Sequence, residues 1–167
     1  MSYNNHLTVP DLLSIRAAEE PGRTALIVDG AGSITFGAWD ERSNAVAHEL
    51  AGRGIRRGDR VGLVFGERDW IEFAVACCAV MKAGAVSVPV SDRLAPGTVA
   101  RILLDCSVSG ILHGGPFPAG DETSGDVWQA TVPELAGGTT EPPRTTVSPD
   151  DSRRSCTPRV LPGSTKA

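Results

Sequence analysis

The sequence has few of the residues from which metal and redox sites are usually built. It contains four cysteines and three histidines, and neither a CxxC pair nor a Cys/His metal-binding spacing occurs. Cys77 and Cys78 are adjacent in an apolar run and Cys106 ends another, so we expect these thiols to be small buried side chains. The composition therefore favours neither a disulfide framework nor a metal site.

Basic charge and long apolar runs are also missing. The net charge is −4 at pH 7 and no basic face stands out, which argues against a nucleic-acid partner. The longest uncharged apolar run, residues 73–81, is too short to cross a bilayer. The start of the sequence lacks the basic and apolar regions of a secretory signal. We therefore expect a soluble, cytoplasmic protein with no membrane partner.

What the sequence does have is an alternation of helical and strand patterns. The patterns predict helices at 10–20, 37–52, 69–84 and 96–106, and strands at 24–29, 33–36, 60–65, 85–90 and 109–113. From residue 60 to 113 the order is strand–helix–strand–helix–strand with short links, which favours right-handed crossovers. The predicted fold class is α/β, a parallel βαβαβ sheet flanked by helices.

The helices also carry specific predictions about their faces and ends. In helix 10–20 Pro10 suits the first turn, and one face holds Leu12, Ile15 and Ala18. In helix 37–52 a buried face holds Trp39, Ser43, Val46 and Leu50, and the residues expected to point away are Asp40, Glu41 and Glu49. Helix 69–84 is apolar nearly all round; Asp69 and Glu72 have capping-box spacing, and Gly84 suits its end.

The character of the chain changes twice along its length. Residues 8–113 form the predicted α/β portion. Residues 114–151 are rich in Gly, Pro, Thr and Asp and are expected to be loop and poorly ordered continuation, with a short strand or helical turn at 127–135. Residues 152–167 contain no acidic residue and no periodicity, and we expect a disordered tail.

Gly52, Gly54 and Gly58 form a GxGxxxG pattern that invites a dinucleotide-binding interpretation. The dinucleotide fingerprint follows a strand and opens a helix, so that the pyrophosphate meets the helix N-terminus. Here a helix comes before the glycines and a strand after them. We therefore favour helix termination followed by a turn, which argues against a nucleotide-dependent oxidoreductase.

Few charged residues are candidates for chemistry. Glu67 and Arg68 follow a predicted parallel strand, where α/β proteins commonly bind ligands; they can contact a substrate or form a solvated pair beside a helix start, and we favour the solvated pair. His6, His48 and His113 have neither a nucleophile nor a carboxylate at a catalytic spacing. The residues alone thus indicate an α/β domain without an assembled active site.

Three elements carry a family resemblance. They are "ITFGAWD" (34–40), "GIRRGDRVGLV" (54–64) and "MKAGAVSVPV" (81–90). In order and spacing they resemble the N-terminal part of the adenylate-forming, AMP-binding enzymes: acyl- and aryl-CoA synthetases, adenylation domains of nonribosomal peptide synthetases, and luciferases. The resemblance covers roughly residues 8–150.

The resemblance implies a two-step ligase that uses ATP and Mg²⁺. A carboxylic acid reacts with ATP to give an acyl-adenylate and pyrophosphate, and a thiol of coenzyme A or of a carrier protein then takes the acyl group. The family's phosphate loop, ribose-binding acidic residue and C-terminal lysine have no counterpart in the matched residues. No catalytic, cofactor-binding or metal-binding residue is therefore assigned, and no cofactor is expected in this fragment.

The end of the sequence, "PDDSRRSCTPRVLPGSTKA" (149–167), stands where the family has a segment like "PDDLAQILYTSGSTGxxKG". If the tail codons are read from their third base, they can encode AQILYTSGSTGxxKG. We hypothesise that residues 152–167 are an out-of-frame translation of the phosphate loop. The chain would then be a truncated ligase, inactive alone; the alternative is a stand-alone, non-catalytic binding or regulatory module.

Overall fold

A computed structural model describes residues 7–117 and 127–143. The elements, in chain order, are α1 (Val9–Glu19), β1 (Thr24–Val28), β2 (Gly32–Thr35), α2 (Phe36–Gly52), β3 (Arg60–Phe65), α3 (Trp70–Lys82), β4 (Val86–Ser91), α4 (Pro96–Asp105), β5 (Gly110–His113), β6 (Trp128–Thr131) and α5 (Val132–Leu135). The tail predicted at 152–167, and parts of the continuation predicted at 114–151, lie outside the described residues.

The main sheet has four strands in the order β4-β3-β5-β6, and every pairing is parallel. Val61 on β3 is opposite Ser87 on β4 and Gly110 on β5. This confirms the predicted parallel βαβαβ unit. The stretch 127–135, predicted as a short strand or a helical turn, is both, because β6 runs directly into α5. β1 and β2 form a separate antiparallel hairpin.

Helices cover both faces of the sheet. On one face, side chains of β3 such as Val61 and Leu63 pack with residues of α2 and α3. On the other face, Val64 packs with residues of α4, including Leu103. A Cβ added at Gly62 would lie 2.5 Å from the Leu103 Cδ2, so the glycine lets α4 lie close to the sheet. Coverage of both faces explains why β3 is an unbroken apolar run from Val61 to Phe65.

The buried line of α1 differs from the prediction. Pro10 lies in the first turn as expected, but the buried residues are Pro10 and Leu13. Leu12 and Ile15 are exposed, so the predicted Leu12–Ile15–Ala18 face was wrong. The Ser14 hydroxyl donates to Asp40 Oδ1 on α2 over 2.8 Å. That bond ties α1 to α2 beside the buried Leu13.

The start of α3 also differs from the prediction. Asp69 precedes the helix but makes no side-chain cap; its Oδ2 accepts a hydrogen bond from the Gly66 N–H at 3.3 Å. Glu72 accepts a hydrogen bond from Arg42 on α2 instead of closing a capping box. The predicted capping box was therefore wrong, because Asp69 bonds the preceding loop and Glu72 pairs with Arg42 on α2. The end is as predicted: Gly84 follows the last turn with φ of +73°.

α3 is the most apolar helix of the described chain, and it spans 13 residues. Neither α3 nor any other helix within residues 7–117 and 127–143 has the length and apolar character needed to cross a membrane.

Candidate functional site

The carboxyl ends of the central strands bring two loops and two glycines together. Gly66 follows β3, and a Cβ added there would lie 2.3 Å from Asp92 Oδ2. Gly114 follows β5, and a Cβ added there would lie 2.3 Å from Asp69 Oδ2. The absent side chains thus let two carboxylates lie against the strand ends, at the edge where open parallel sheets bind ligands.

A cleft of about 260 Å³ opens between the ends of β3 and β4. Its walls are largely apolar; they include Leu63, Phe65, Trp70, Phe73, Pro89 and Val90. At its rim Arg93 Nη2 lies 2.7 Å from Glu67 Oε2, and the two side chains are 69% and 67% exposed. Solvent screens an ion pair this exposed, so the pair stabilises little. It leaves the rim with no net charge from these two residues.

A second and larger cavity, of about 550 Å³, lies between the β1 strand and one side of α3. Its lining is apolar apart from Asp29; it includes Leu26, Ile27, Val28, Trp39, Phe73, Cys77 and Met81. Trp70 lines both cavities, is 52% exposed, and meets Phe73 edge to face at 5.5 Å. The two cavities thus share Trp70 and Phe73 at the start of α3, and the larger one extends along the helix to Met81.

The three predicted glycines end a helix and form a turn. Gly52 is the last residue of α2, and β3 begins only at Arg60. Gly54 and Gly58 both have φ of +88°, a conformation that glycine adopts without a steric penalty. The Gly58 N–H donates to the Gly84 carbonyl at 2.9 Å, which ties this turn to the end of α3. The interpretation as helix termination and turn is confirmed.

Glu67 and Arg68 do not pair with each other. Glu67 pairs with Arg93, and Arg68 is exposed to solvent. Both side chains are exposed, as expected, but the expected pair was wrong, because Glu67 pairs with Arg93 from the loop after β4.

The histidines are separated and engaged with main-chain carbonyls. His113 Nδ1 lies 2.9 Å from the Gly115 carbonyl, and its ring packs against Phe117. His48 Nε2 lies 2.9 Å from the Glu141 carbonyl, so this nitrogen donates. His6 lies outside the described residues.

The cysteines take the positions expected of small apolar side chains. Cys78 and Cys106 are buried and Cys77 is half-buried. Burial raises the pKa of the Cys78 thiol to about 11 and also raises the pKa of Cys77. Because the thiolate is the nucleophile, neither thiol is activated at neutral pH. Across residues 7–117 and 127–143, no group of three His, Cys, Asp or Glu side chains could hold a metal ion.

A buried charge cluster between α2 and α3 was missed by the sequence reasoning. Lys82 is 4% exposed, and its ammonium donates to Asp40 Oδ1 (2.8 Å), the Asp40 carbonyl (3.1 Å) and Asn44 Oδ1 (2.6 Å). The prediction that Asp40 points to solvent was wrong, because Lys82 and Ser14 draw its carboxylate inward. A signal was available: Lys82 follows the buried Cys78 by four residues on an apolar helix.

The cluster joins two of the three sequence elements that carry the resemblance. "ITFGAWD" runs from β2 into α2 and contributes Asp40, and "MKAGAVSVPV" runs from α3 into β4 and contributes Lys82. The Lys82 ammonium links the two elements directly through its bonds to Asp40 Oδ1 at 2.8 Å and to the Asp40 carbonyl at 3.1 Å. With all three ammonium protons placed on acceptors, Lys82 has no free donor for a ligand.

The described fold is that of an open parallel α/β domain with helices on both faces. Residues 13–159 match the family model described as AMP-binding enzyme. The chain therefore belongs to the AMP-binding enzyme family.

Curated relatives include a naringenin synthase of Pestalotiopsis fici, 41% identical over 96 residues, which cover 58% of this chain and 3% of that protein. A medium/long-chain-fatty-acid–CoA/3-oxocholest-4-en-26-oate–CoA ligase of Mycolicibacterium smegmatis is 32% identical over 107 residues, covering 64% of this chain and 19% of the ligase. The chain thus spans less than a fifth of the length of either relative.

Solved structures share the fold. The N-terminal domain of FACL13 from Mycobacterium tuberculosis superposes with a TM-score of 0.76 at 25% identity, over 87% of this chain and 40% of that one. The nonribosomal peptide synthetase FmoA3, bound to α-methyl-L-serine-AMP, gives a TM-score of 0.80 over 90% of this chain and 17% of that one. At 20% identity the second likeness shows the fold alone.

The strand-end cleft does not fit ATP with its Mg²⁺. A triphosphate site needs clustered backbone N–H groups or free cations, and Mg²⁺ needs oxygen ligands. The strand-end cleft is largely apolar, Arg93 at its rim already pairs with Glu67, and the described part of the chain holds no cluster of metal ligands.

Proposed function

We propose that this chain is the N-terminal portion of an ATP-dependent acid–thiol ligase. In the reaction, an oxygen of the substrate carboxylate attacks the α-phosphorus of ATP, and pyrophosphate leaves. The sulfur of a coenzyme A or carrier-protein thiol then attacks the acyl carbon, the thiol proton is lost, and AMP leaves. The observation that carries this proposal is the family match over residues 13–159.

In this proposal the described residues supply scaffold. They provide the central strands, the helices on both faces and the buried Lys82–Asp40 bond between two family elements. The sites for ATP, Mg²⁺ and the acid belong to segments that the described residues do not include. The 167-residue chain is then expected to have no adenylation activity alone.

The proposal extends to the tail. Residues 152–167 are taken as an out-of-frame reading of the phosphate loop, a proposal supported by the codon compatibility of the whole tail with AQILYTSGSTGxxKG. The complete enzyme would act in the cytoplasm, where ATP and coenzyme A are available.

The test compares two proteins. One is the 167-residue chain, and the other is the product of the same gene with one cytosine inserted after the Asp151 codon. Each is assayed for acid-dependent exchange of labelled pyrophosphate into ATP with Mg²⁺, against panels of fatty, aryl and amino acids. We expect exchange only from the frame-restored protein. Exchange by the 167-residue chain would contradict the scaffold assignment. A frame-restored protein that folds but exchanges nothing with any acid would favour the non-catalytic module.

A further inference from the structure

The segment 137–143, which follows α5, has few buried side chains and main-chain hydrogen bonds to hold it in place. Residues 137–142 are exposed, so no apolar side chain anchors them in the core. Among the described residues, no main-chain hydrogen bond of the turn, loop or cap type involves this segment; the last one is Ala136 N–H to the Val132 carbonyl within α5. A chain with neither burial nor main-chain bonds is expected to move freely unless side chains hold it.

Two side chains of α2 hold this segment. Asn44 Nδ2 donates to the Thr140 carbonyl at 2.9 Å, and His48 Nε2 donates to the Glu141 carbonyl at 2.9 Å. Asn44 and His48 are four residues apart and therefore lie on one face of the helix. The segment is thus laid along α2 by bonds to two consecutive carbonyls.

Lys82 and Asp40 together decide which way the Asn44 amide points. Asn44 is 2% exposed and has one acceptor end and one donor end. The Lys82 ammonium can only donate, so the Asn44 atom 2.6 Å away must be the oxygen. The amide nitrogen then donates to two acceptors, Asp40 Oδ2 at 3.2 Å and the Thr140 carbonyl at 2.9 Å.

We propose that the buried Lys82–Asp40–Asn44 cluster is a positioning device for residues 137–143, acting through the Asn44 amide on the Thr140 carbonyl. Lys82 and Asp40 orient the amide, and the amide holds the exposed segment against α2. Among the described residues, His48 is the other side chain of α2 that bonds this segment. These are positioning residues, since none of them has a free group directed at a ligand.

The test is backbone ¹⁵N relaxation of the 167-residue chain. Asn44→Asp is the main variant, because a carboxylate still accepts from Lys82 but places an oxygen against the Thr140 carbonyl and against Asp40 Oδ2, the two groups to which the amide donates. We expect order parameters of the Gly137–Glu141 amides to fall from about 0.85 to below about 0.6. Amides of β3 and β5 should keep their wild-type values.

Ser14→Ala is the matched control. It removes the 2.8 Å hydrogen bond from Ser14 to Asp40 but leaves the Asn44–Thr140 bond in place. The segment should remain ordered in this variant. A double variant, Asp40→Asn with Lys82→Met, leaves no buried charge unpaired and no ammonium to orient Asn44, and it should loosen the segment as Asn44→Asp does.

Four results would overturn the proposal: a segment already mobile in the wild type, no change in Asn44→Asp, equal loosening in Ser14→Ala, or a loss of order in the sheet as large as in the segment. A double variant that folds and keeps the segment ordered would remove Lys82 from the device. The measurement involves no ATP or acid, so failure of the proposed ligase function leaves it unaffected.

Discussion

The two ends of α3 show opposite relations between polarity and burial. At the C-terminal end, the charged Lys82 is 4% exposed; at the N-terminal end, the aromatic Trp70 is 52% exposed. Lys82 is buried because three oxygens from α2 accept its protons. Trp70 is exposed because the cavities on either side of it leave much of the ring uncovered. The available partners, more than the residue type, decide which side chain is buried.

The difference has an energetic side. A buried ammonium without partners is far more costly than an exposed one, so the Lys82 end depends strongly on keeping every acceptor. The Trp70 end loses little when a side chain is shortened, because much of the ring is already in water. Substitutions at the two ends should therefore differ severalfold in their effect on the free energy of unfolding.

The largest expected effect is at the C-terminal end of α3, where Lys82 is buried. Lys82→Met leaves the Asp40 carboxylate, which is 13% exposed, without its cation. We expect a loss of about 3–5 kcal/mol in the free energy of unfolding, the usual result of removing one partner from a buried ion pair. Urea denaturation followed by circular dichroism measures it.

The matched control is an ion pair that joins the same two helices. Arg42 on α2 pairs with Glu72 on α3, and these side chains are 30% and 27% exposed. Arg42→Met should cost less than about 1 kcal/mol, because the pair is partly screened by water. Equal costs for the two variants would show that the Lys82 cluster is no more important than an ordinary surface pair.

The two adjacent cysteines sharpen the comparison within the helix. Both cysteines border the larger cavity, but Cys77 is half-buried, whereas Cys78 is buried one turn before Lys82. We expect iodoacetamide to modify Cys77 first and Cys78 only when the chain unfolds, as followed by peptide mass spectrometry. A Cys77→Ser variant, read at the same peptide, isolates the Cys78 rate; rapid modification there would contradict the burial.

The raised pKa of Cys78 also gives a pH dependence with a definite sign. In the folded chain its pKa is about 11, against 9.0 for an ordinary thiol, so the folded state favours the protonated form. This contribution to stability is complete below about pH 9 and is lost as the pH rises towards 11. Denaturation midpoints of the wild type should fall over this range more steeply than those of Cys78→Ala.

A smaller effect is expected at the N-terminal end of α3, where Trp70 is half exposed. Trp70→Ser should cost about 1 kcal/mol, since the ring is half in water. It should also lower the binding of a fluorescent apolar dye such as ANS, because Trp70 borders both cavities. Leu104→Ser on α4 is the control, as Leu104 is 64% exposed but lines neither cavity. Undiminished dye binding in Trp70→Ser would mean that the cavities do not take the dye.

The smallest effect belongs to the turn between β6 and α5. The Thr131 main-chain N–H donates to Glu134 Oε2 at 2.7 Å, and this bond, with one from the Thr131 side chain, lowers the pKa of Glu134. The depressed pKa stabilises the turn above the usual carboxyl range, and the contribution is lost as the pH falls through the lowered value. A carboxyl ¹³C titration should show the lowered pKa, with a partial return towards the usual value in Thr131→Val.

Local patterns were enough to predict the sheet but not the buried charge. The run from Val61 to Phe65 predicts a strand covered on both faces, and both faces are covered. The periodicity of α2 predicts that Asp40 faces water, because the pattern reflects only the polarity of nearby residues. It does not include the partner Lys82, which lies 42 residues later in the sequence. The same limit explains α1, where Leu12 and Ile15 fit the periodicity but are exposed, while Leu13 is buried. Contacts between distant residues decide these positions.

The most direct test of the proposed function is to sequence the gene through codons 148–170 and several hundred bases beyond. The proposal predicts that a frame shifted by one base after Asp151 encodes the phosphate loop and continues into the family's later acidic and lysine motifs. A gene in which no frame encodes these motifs would contradict it, and the chain would then be a small domain of the AMP-binding family with a non-catalytic role.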